Sequence, residues 1–311
     1  MTADDCLPPW LRGAATTITP LVAGLSGAGV FRVDTRDGAF VLKIASDAEG
    51  DADWRRSLAI HRLAADAGIA PRIVHVDEAR RAVVTELVVD RSFADFLRDP
   101  RTHDDALALL GGTVRRLHAL PLPPDAAERD PWEFLAQMRG GPLGDFAFPA
   151  FADAAITRAL DGAAPRERAV LGHNDLNPGN LVYDGASILV LDWATAGAAD
   201  PRYDLATLAV FLRMDDADAL RLLSAYEGEA VDAVSEGFRA LTRLVAALAG
   251  TMQLHIARQM GHAGATGTES IDDVPTLAAF YQAMREGALR LGTREGQWAF
   301  GLALLRESLA R

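Results

Sequence analysis

Positions 171–192 read LGHNDLNPGNLVYDGASILVLD, and four polar groups in that run could do chemistry: His173, Asp175, Asn180 and Asp192. Apolar residues lead into His173-Asn174-Asp175, and a Pro178-Gly179 turn returns the chain to Asn180. Two short apolar runs, 181–184 (LVYD) and 187–191 (SILVL), then follow with a tight turn between them. Paired antiparallel, those runs place Asn180 and Asp192 at the same end of a hairpin. An amide oxygen beside a carboxylate suits Mg²⁺, a hard cation that takes one or two protein oxygens and completes its octahedron with water and phosphates. Asp175 then remains available as a base.

The elements that would position these groups can also be read. The chain has 311 residues, with 31 basic and 43 acidic side chains, a net charge of −12 and a single cysteine. That length suggests one large or two modest domains. The acidic balance argues against nucleic acid as a partner and is compatible with a cationic small molecule. Cys6 alone forms no internal disulfide and no cysteine-based zinc site. The N-terminus lacks the pattern of a signal peptide, so a cytoplasmic protein with no membrane partner, monomeric or homodimeric, is expected.

Residues 18–25, 30–34 and 39–45 predict strands joined by the Ser26-Gly27-Ala28-Gly29 and Thr35-Arg36-Asp37-Gly38 turns. A helix is predicted at 51–67, with Ile60, Leu63, Ala64 and Ala67 on one face, stopped by Gly68 and Pro71. Strands follow near 72–76 and 82–88. Beyond residue 90 the apolar spacing turns helical, as in Leu107, Leu110, Val114 and Leu117, in the long run from Val234 to Ile256, and in Trp298, Leu302, Leu305 and Leu309. The Pro-rich stretch 121–131 reads as a loop. The boundary falls near Val88–Asp90, giving an N-terminal unit 1–88, a helical unit 89–311, and a cleft between them.

His173-x-Asp175-x-x-x-x-Asn180 followed by Asp192 resembles the catalytic loop and metal-binding Asp of the kinase superfamily. HNDLNPGN and LDWATAGAADPRYDLA resemble the aminoglycoside phosphotransferase / choline kinase family in particular. The resemblance covers nearly the whole chain. It implies an α+β, bilobal protein-kinase-like fold, with a five-stranded antiparallel sheet in an ATP-binding N-lobe and a mostly helical, catalytic and substrate-binding C-lobe. It implies a phosphotransferase using ATP and Mg²⁺, with Asp175 catalytic and Asn180 and Asp192 on the metal. Lys43 would contact the α/β-phosphates, the Ser26–Gly29 turn would cover them, and Glu86 to Val88 would offer backbone groups to the adenine. His173, Asp200 and Asp204 would be structural supports, Asp204 most simply as a helix N-cap. The acceptor would be a hydroxyl of a choline-, ethanolamine- or thiamine-type molecule, or alternatively of an aminoglycoside or amino sugar. Tyr203, Asp204, Glu227, Gln253 and Trp298 are candidates to read it.

Two departures stand out. Kinases pair the strand lysine with a Glu on the following helix, and 51–67 contains none; Asp51, Asp53 and Glu49 are the nearest substitutes. This leaves a non-catalytic nucleotide-binding protein as an alternative of another class. Ala194-Thr195 also stands where choline kinase relatives carry an acidic and an aromatic residue. Only seven residues separate Asp192 from Asp200, and Asn174 replaces the Arg that answers an activation-segment phosphate in protein kinases. An enzyme active without phosphorylation is therefore expected, and phosphatase treatment should leave its turnover unchanged. A zinc or two-metal site from His173, Asp175 and Asp192 is the weaker reading, because the other six histidines are scattered.

Overall fold

The computed structural model describes residues 2–21, 29–162 and 169–311. Strands β1 (Thr17–Pro20), β2 (Gly29–Asp34), β3 (Ala39–Ile44), β4 (Ile73–Asp77) and β5 (Ala82–Glu86) form one antiparallel sheet in the order β1-β2-β3-β5-β4. The Asp37-Gly38 turn closes β2 onto β3, with Thr35 N–H donating to the Gly38 carbonyl at 2.9 Å and Gly38 at φ +149°. One sheet face buries Val33, Leu42, Ala82 and Val84 against Cys6, Leu7 and Leu11 of the N-terminal segment. Cys6 is therefore a packing residue, and burial pushes its thiol up, away from the reactive thiolate. Ser26, Gly27 and Ala28 lie outside the described residues, while Gly29 opens β2.

Helix α1 (Asp51–Asp66) follows β3 and stops at Gly68, whose φ of +66° a side chain would strain. Its buried residues are Trp54, Leu58, Ile60 and Ala64 rather than the expected Leu63 and Ala67. Ile60 and Ala64 join the core of the helical part, not the core under the sheet. The helix thus faces the helical part, and a single-face reading of its sequence does not capture that.

The helical part comprises α2 (Phe93–Arg98), α3 (His103–His118), α4 (Pro131–Gly140), α5 (Ala150–Asp161), α6 (Pro201–Phe211), α7 (Asp216–Glu227), α8 (Glu236–Gln259), α9 (Leu277–Arg285) and α10 (Arg294–Ala310). α8 is 24 residues long and apolar enough to cross a membrane, but 72% of its apolar window is buried inside the protein. Its apolarity is that of a core helix. Gly250 and Gly301 let α8 and α10 touch, since a Cβ at either would meet the other's backbone.

Four short strands sit among these helices. The expected hairpin is present as β7 (Leu181–Tyr183) and β8 (Ile188–Val190), and β6 (Val170–Gly172) pairs antiparallel with β9 (Gly197–Ala199). This second pair was not legible in the sequence. Both strands are three residues long, and β9 consists of Gly and Ala only. The stretch 121–131 is mostly loop, as expected, and its Ala127 carbonyl accepts from Ala198 N–H at 2.9 Å.

Candidate active site

Register builds the site. Leu181 pairs with Val190, and Leu191 N–H donates to the Asn180 carbonyl at 2.8 Å, so the ladder's last rung sets Asn180 beside Leu191 and Asp192. β8 is anchored to the segment after α1 by Val190 N–H donating to the Ile69 carbonyl at 2.7 Å. Asp175 lies at the same end. Its carboxylate accepts from Asn177 Nδ2 at 2.9 Å and from Asn180 Nδ2 at 3.0 Å, and Asn180 Nδ2 also reaches the Asp175 carbonyl at 2.8 Å. Asn180 has thus spent its amide nitrogen, which leaves Oδ1 for a cation.

Lys43 projects from β3 and donates to Asp192 Oδ1 at 2.5 Å, across 149 positions of sequence. That contact joins the sheet to the hairpin. Burial alone would raise the Asp192 carboxyl, but the Lys43 charge and hydrogen bond more than offset it and hold the group below the usual carboxylate range. Asp175 behaves oppositely. Burial pushes its carboxyl up, and the bonds from Asn177 and Asn180 only partly oppose this. Two neighbouring acids are therefore driven apart, the stronger one suited to stay ionised on a cation and the weaker one to take a proton.

Asn174 and Asp192 hold left-handed backbone conformations, φ +64° and +60°. Both are side-chain types that tolerate it, and such strain gathers where surroundings over-determine the chain. Those surroundings centre on Asp204, which is fully buried. It accepts from His173 N–H at 2.7 Å, Asn174 N–H at 2.9 Å and His118 Nε2 at 3.0 Å. Asp204 is therefore not the N-cap expected of it. Asp200 caps α6, accepting from Arg202 N–H at 2.9 Å, because Pro201 occupies the first helical position and moves the cap forward. Nor can Asp204 read an acceptor, since it has no exposed surface. Burial works to raise it, and His118 and His173 more than compensate.

Replacing Asp204 by Ala leaves two backbone amides and His118 without their acceptor. Stability should fall by about 3–5 kcal/mol, seen as a lower urea midpoint. Because the folded carboxyl titrates below its unfolded value, this contribution is present above about pH 4 and is lost as acid protonates the folded group.

His173 is wholly buried. Its Nε2 bonds to the Leu191 carbonyl at 2.9 Å, and its ring lies edge-to-face on Trp193 at 5.0 Å. It ties the 173–175 turn to the strand leading to Asp192. Thr195 Oγ1 donates to the His173 carbonyl at 3.0 Å and Asn174 Nδ2 to the Thr195 carbonyl at 3.1 Å, so the short segment after Asp192 is held by its own bonds. Of the expected adenine contacts, Glu86 N–H donates to Arg72 and Leu87 N–H to Ala39, while Val88 N–H makes no bond among the described residues. The Glu86 side chain pairs outward with Arg72. Among the described residues no group of three His, Cys, Asp or Glu is arranged to hold a metal ion.

Two features of the site escaped the motif reading. Lys43 is the only lysine in the chain, against thirty arginines. Arginine serves every other basic position, and the compact ammonium stands where it touches the half-buried Asp192 carboxylate. His61, on α1, stacks against Trp193 at 6.4 Å, and burial first, then the Lys43 charge, lowers it to about 4. It is neutral at pH 7 and adds no competing charge beside Lys43.

The phosphotransferase enzyme family model matches residues 17–241, which span the sheet, the hairpin and α6. The chain belongs to the phosphotransferase enzyme family. Solved structures share its architecture. A choline/ethanolamine kinase family protein from Mesorhizobium loti is 21% identical, covers 96% of each chain and has a TM-score of 0.65. An aminoglycoside-3'-phosphotransferase of type VIII is 24% identical, covering 79% of this chain and 98% of its own, with a TM-score of 0.59. A spectinomycin phosphotransferase in complex with ADP and spectinomycin is 13% identical, covering 92% and 93%, with a TM-score of 0.56. No curated protein matches the sequence significantly. Within this family the five-stranded sheet and helical part form the protein-kinase-like fold, and the chain is a phosphotransferase.

Proposed function

We propose that this phosphotransferase moves the γ-phosphoryl group of ATP, with Mg²⁺, to a hydroxyl of a small polar, cationic acceptor of the choline, ethanolamine or thiamine type. The observation carrying the reading is that Lys43, Asp175, Asn180 and Asp192 converge through three different elements, with the Asp175 carboxyl raised by burial and the Asp192 carboxyl lowered by Lys43. The donor set fits the cation: one carboxylate and one amide oxygen, the rest of the octahedron being left to water and phosphate oxygens, while the Lys43 ammonium beside them suits the phosphates. Bound there, the metal would neutralise charge on the phosphates and orient them.

The remaining work belongs to the side chains. Asp175, held by Asn177 and Asn180, orients the acceptor hydroxyl and takes its proton. Lys43 moves from Asp192 onto phosphate oxygens. The Val88 amide is the unspent backbone donor for the adenine. Little bond chemistry is asked of the protein, because phosphoryl transfer is catalysed mainly by positioning and charge neutralisation. ADP in the related spectinomycin phosphotransferase supports the nucleotide assignment.

The acidic chain suits a cationic acceptor, and the choline/ethanolamine kinase family protein shares the fold over 96% of the chain. A second reading, an aminoglycoside or amino-sugar acceptor, is favoured by Ala194-Thr195. Ala194 is exposed and offers neither acid nor ring to a quaternary ammonium. Incubation with Mg–ATP and each of choline, ethanolamine, thiamine and a set of aminoglycosides, followed by phosphorus NMR, should yield a phosphomonoester from one class. Nucleotide binding with no transfer to any of them would overturn both acceptor assignments.

A further inference from the structure

α1 presents no acid to Lys43, yet Lys43 has to stay in place once Asp192 turns to a metal. In the structure the ammonium is bonded to Asp192, the residue that would hold the cation. Losing that partner without gaining another would leave a long flexible side chain to find the phosphates alone, at a cost in ordering. Three nearby carboxylates are available in the sequence, and the structure separates them. Asp53 pairs with Arg56, and Asp51 lies 3.7 Å from Arg81; both side chains are about two-thirds exposed or more, at 67% and 73%. Each points to an arginine at the surface.

Glu49, in the loop between β3 and α1, is different. Its Oε1 accepts from Ser57 Oγ at 3.4 Å, the Ser57 that stands one helical turn before His61, and its carbonyl is gripped by Arg81. Arg81 itself is held at φ +50° in the turn before β5, and its carbonyl accepts from Ala45 N–H at 3.0 Å, two residues along the chain from Lys43. The loop is thus fastened at both ends, to β5 and to α1. Burial raises the Glu49 carboxyl, and the Lys43 ammonium is the strongest influence drawing it back down, with Asp192 acting in the other direction. Ser57 and His61 share one face of α1, and that face packs on the 193–195 segment directly after Asp192, where His61 stacks on Trp193. The bond to Ser57 therefore holds the Glu49 carboxylate on the side of the helix nearest the Lys43–Asp192 pair.

We propose that Glu49, presented by Ser57 and Arg81, is the positioning residue for Lys43, doing from the β3–α1 loop what kinases do from the helix. This rests on the phosphotransferase site proposed above. Lys43 hands over from Asp192 to Glu49 as the cation arrives, and Ser57 occupies the helical place left by the acid. The position of Ser57 makes the exchange reversible by design, because a carboxylate placed there should supply the same charge from α1.

The single lysine makes the idea directly measurable. Protein carrying isotope-labelled lysine has one side-chain signal, that of Lys43. Glu49→Gln should move that signal and raise KM for Mg–ATP about tenfold with a smaller change in kcat, the loss of one charge-assisted bond. Glu49→Asp should fall between, and Glu49→Gln combined with Ser57→Glu should recover most of the loss. Asp51→Asn and Asp53→Asn should stay near wild type. An unmoved lysine signal in Glu49→Gln, or a moved signal with unchanged KM, or no recovery in the double variant, would each overturn the proposal. Failure of the wild type itself to bind Mg–ATP would instead strike the phosphotransferase site, and the lysine signal would still report whether Glu49 and Lys43 are partners.

Discussion

Asp175→Asn should lower kcat by about 10²–10⁴ while leaving Mg–ATP binding close to wild type, the signature of a lost general base. The amide is nearly isosteric and keeps one acceptor oxygen for Asn177, while Asn180 Nδ2 retains the carbonyl of residue 175, but it cannot accept the hydroxyl proton. Two pH effects follow from the raised carboxyl. In the wild type, kcat should fall on the acid side through a pH above the ordinary Asp range, because the base must be ionised to act. A folded value above the unfolded one also means that this group favours the fold fully below about pH 4, and that its contribution is lost as pH rises through the folded value. At neutral pH the ionised Asp175 is then a strain on stability. Asp175→Asn should melt no lower than wild type at pH 7, with any advantage vanishing near pH 4. A variant that loses activity by unfolding would show the reverse, and thermal melts beside the kinetics separate the two.

Asp192→Asn should cost at least about 10³ in turnover and abolish the Mg²⁺ dependence of ATP binding. Asn is the informative substitution because Asp192 sits at φ +60°, a conformation Asn tolerates and Ala does not. It removes the charge from the cation site and from Lys43 together, so nucleotide affinity with and without Mg²⁺ should become equal. Because Lys43 holds the Asp192 carboxyl low, the pair's contribution to stability is complete above about pH 4 and is lost as pH falls further through the lowered folded value. Both side chains are one-third exposed, so solvent screens that contribution and it should be small beside the functional loss. Retained Mg²⁺-dependent binding in Asp192→Asn would move the metal to other ligands.

Much of this site was legible because its parts are local. Asn180 and Asp192 are joined by one tight hairpin, and strand arithmetic alone brings them together. The Lys43–Asp192 contact is made across 149 positions of sequence, and the family resemblance placed the two groups on one metal–nucleotide without pointing to a bond between them. The same limit explains the misreading of Asp204. An acid four residues into a helix, seen locally, looks like a cap, whereas its three partners come from α3 and from the 173–174 turn, which no local pattern connects. Asp200-Pro201 carried the correct signal for the cap, since proline favours the first helical position. β6 and β9 escaped notice because a pair of three-residue strands made largely of Gly and Ala has no alternation to read. The substitute for the helix Glu was narrowed to three acids by sequence. Their separation needed the side-chain directions, with Asp51 and Asp53 toward arginines and Glu49 toward Ser57.

The central claim is that an amide, a carboxylate and the single lysine serve one metal–nucleotide, with Asp175 facing the acceptor beside it. A crystal structure of the wild-type protein with Mn²⁺ and a non-hydrolysable ATP analogue tests this most directly, because the anomalous signal locates the metal without reference to the protein. The expected result is manganese ligated by Asn180 Oδ1 and Asp192, with Lys43 on the phosphates. Manganese and nucleotide bound away from Asn180 and Asp192, with the Lys43–Asp192 bond intact, would contradict it.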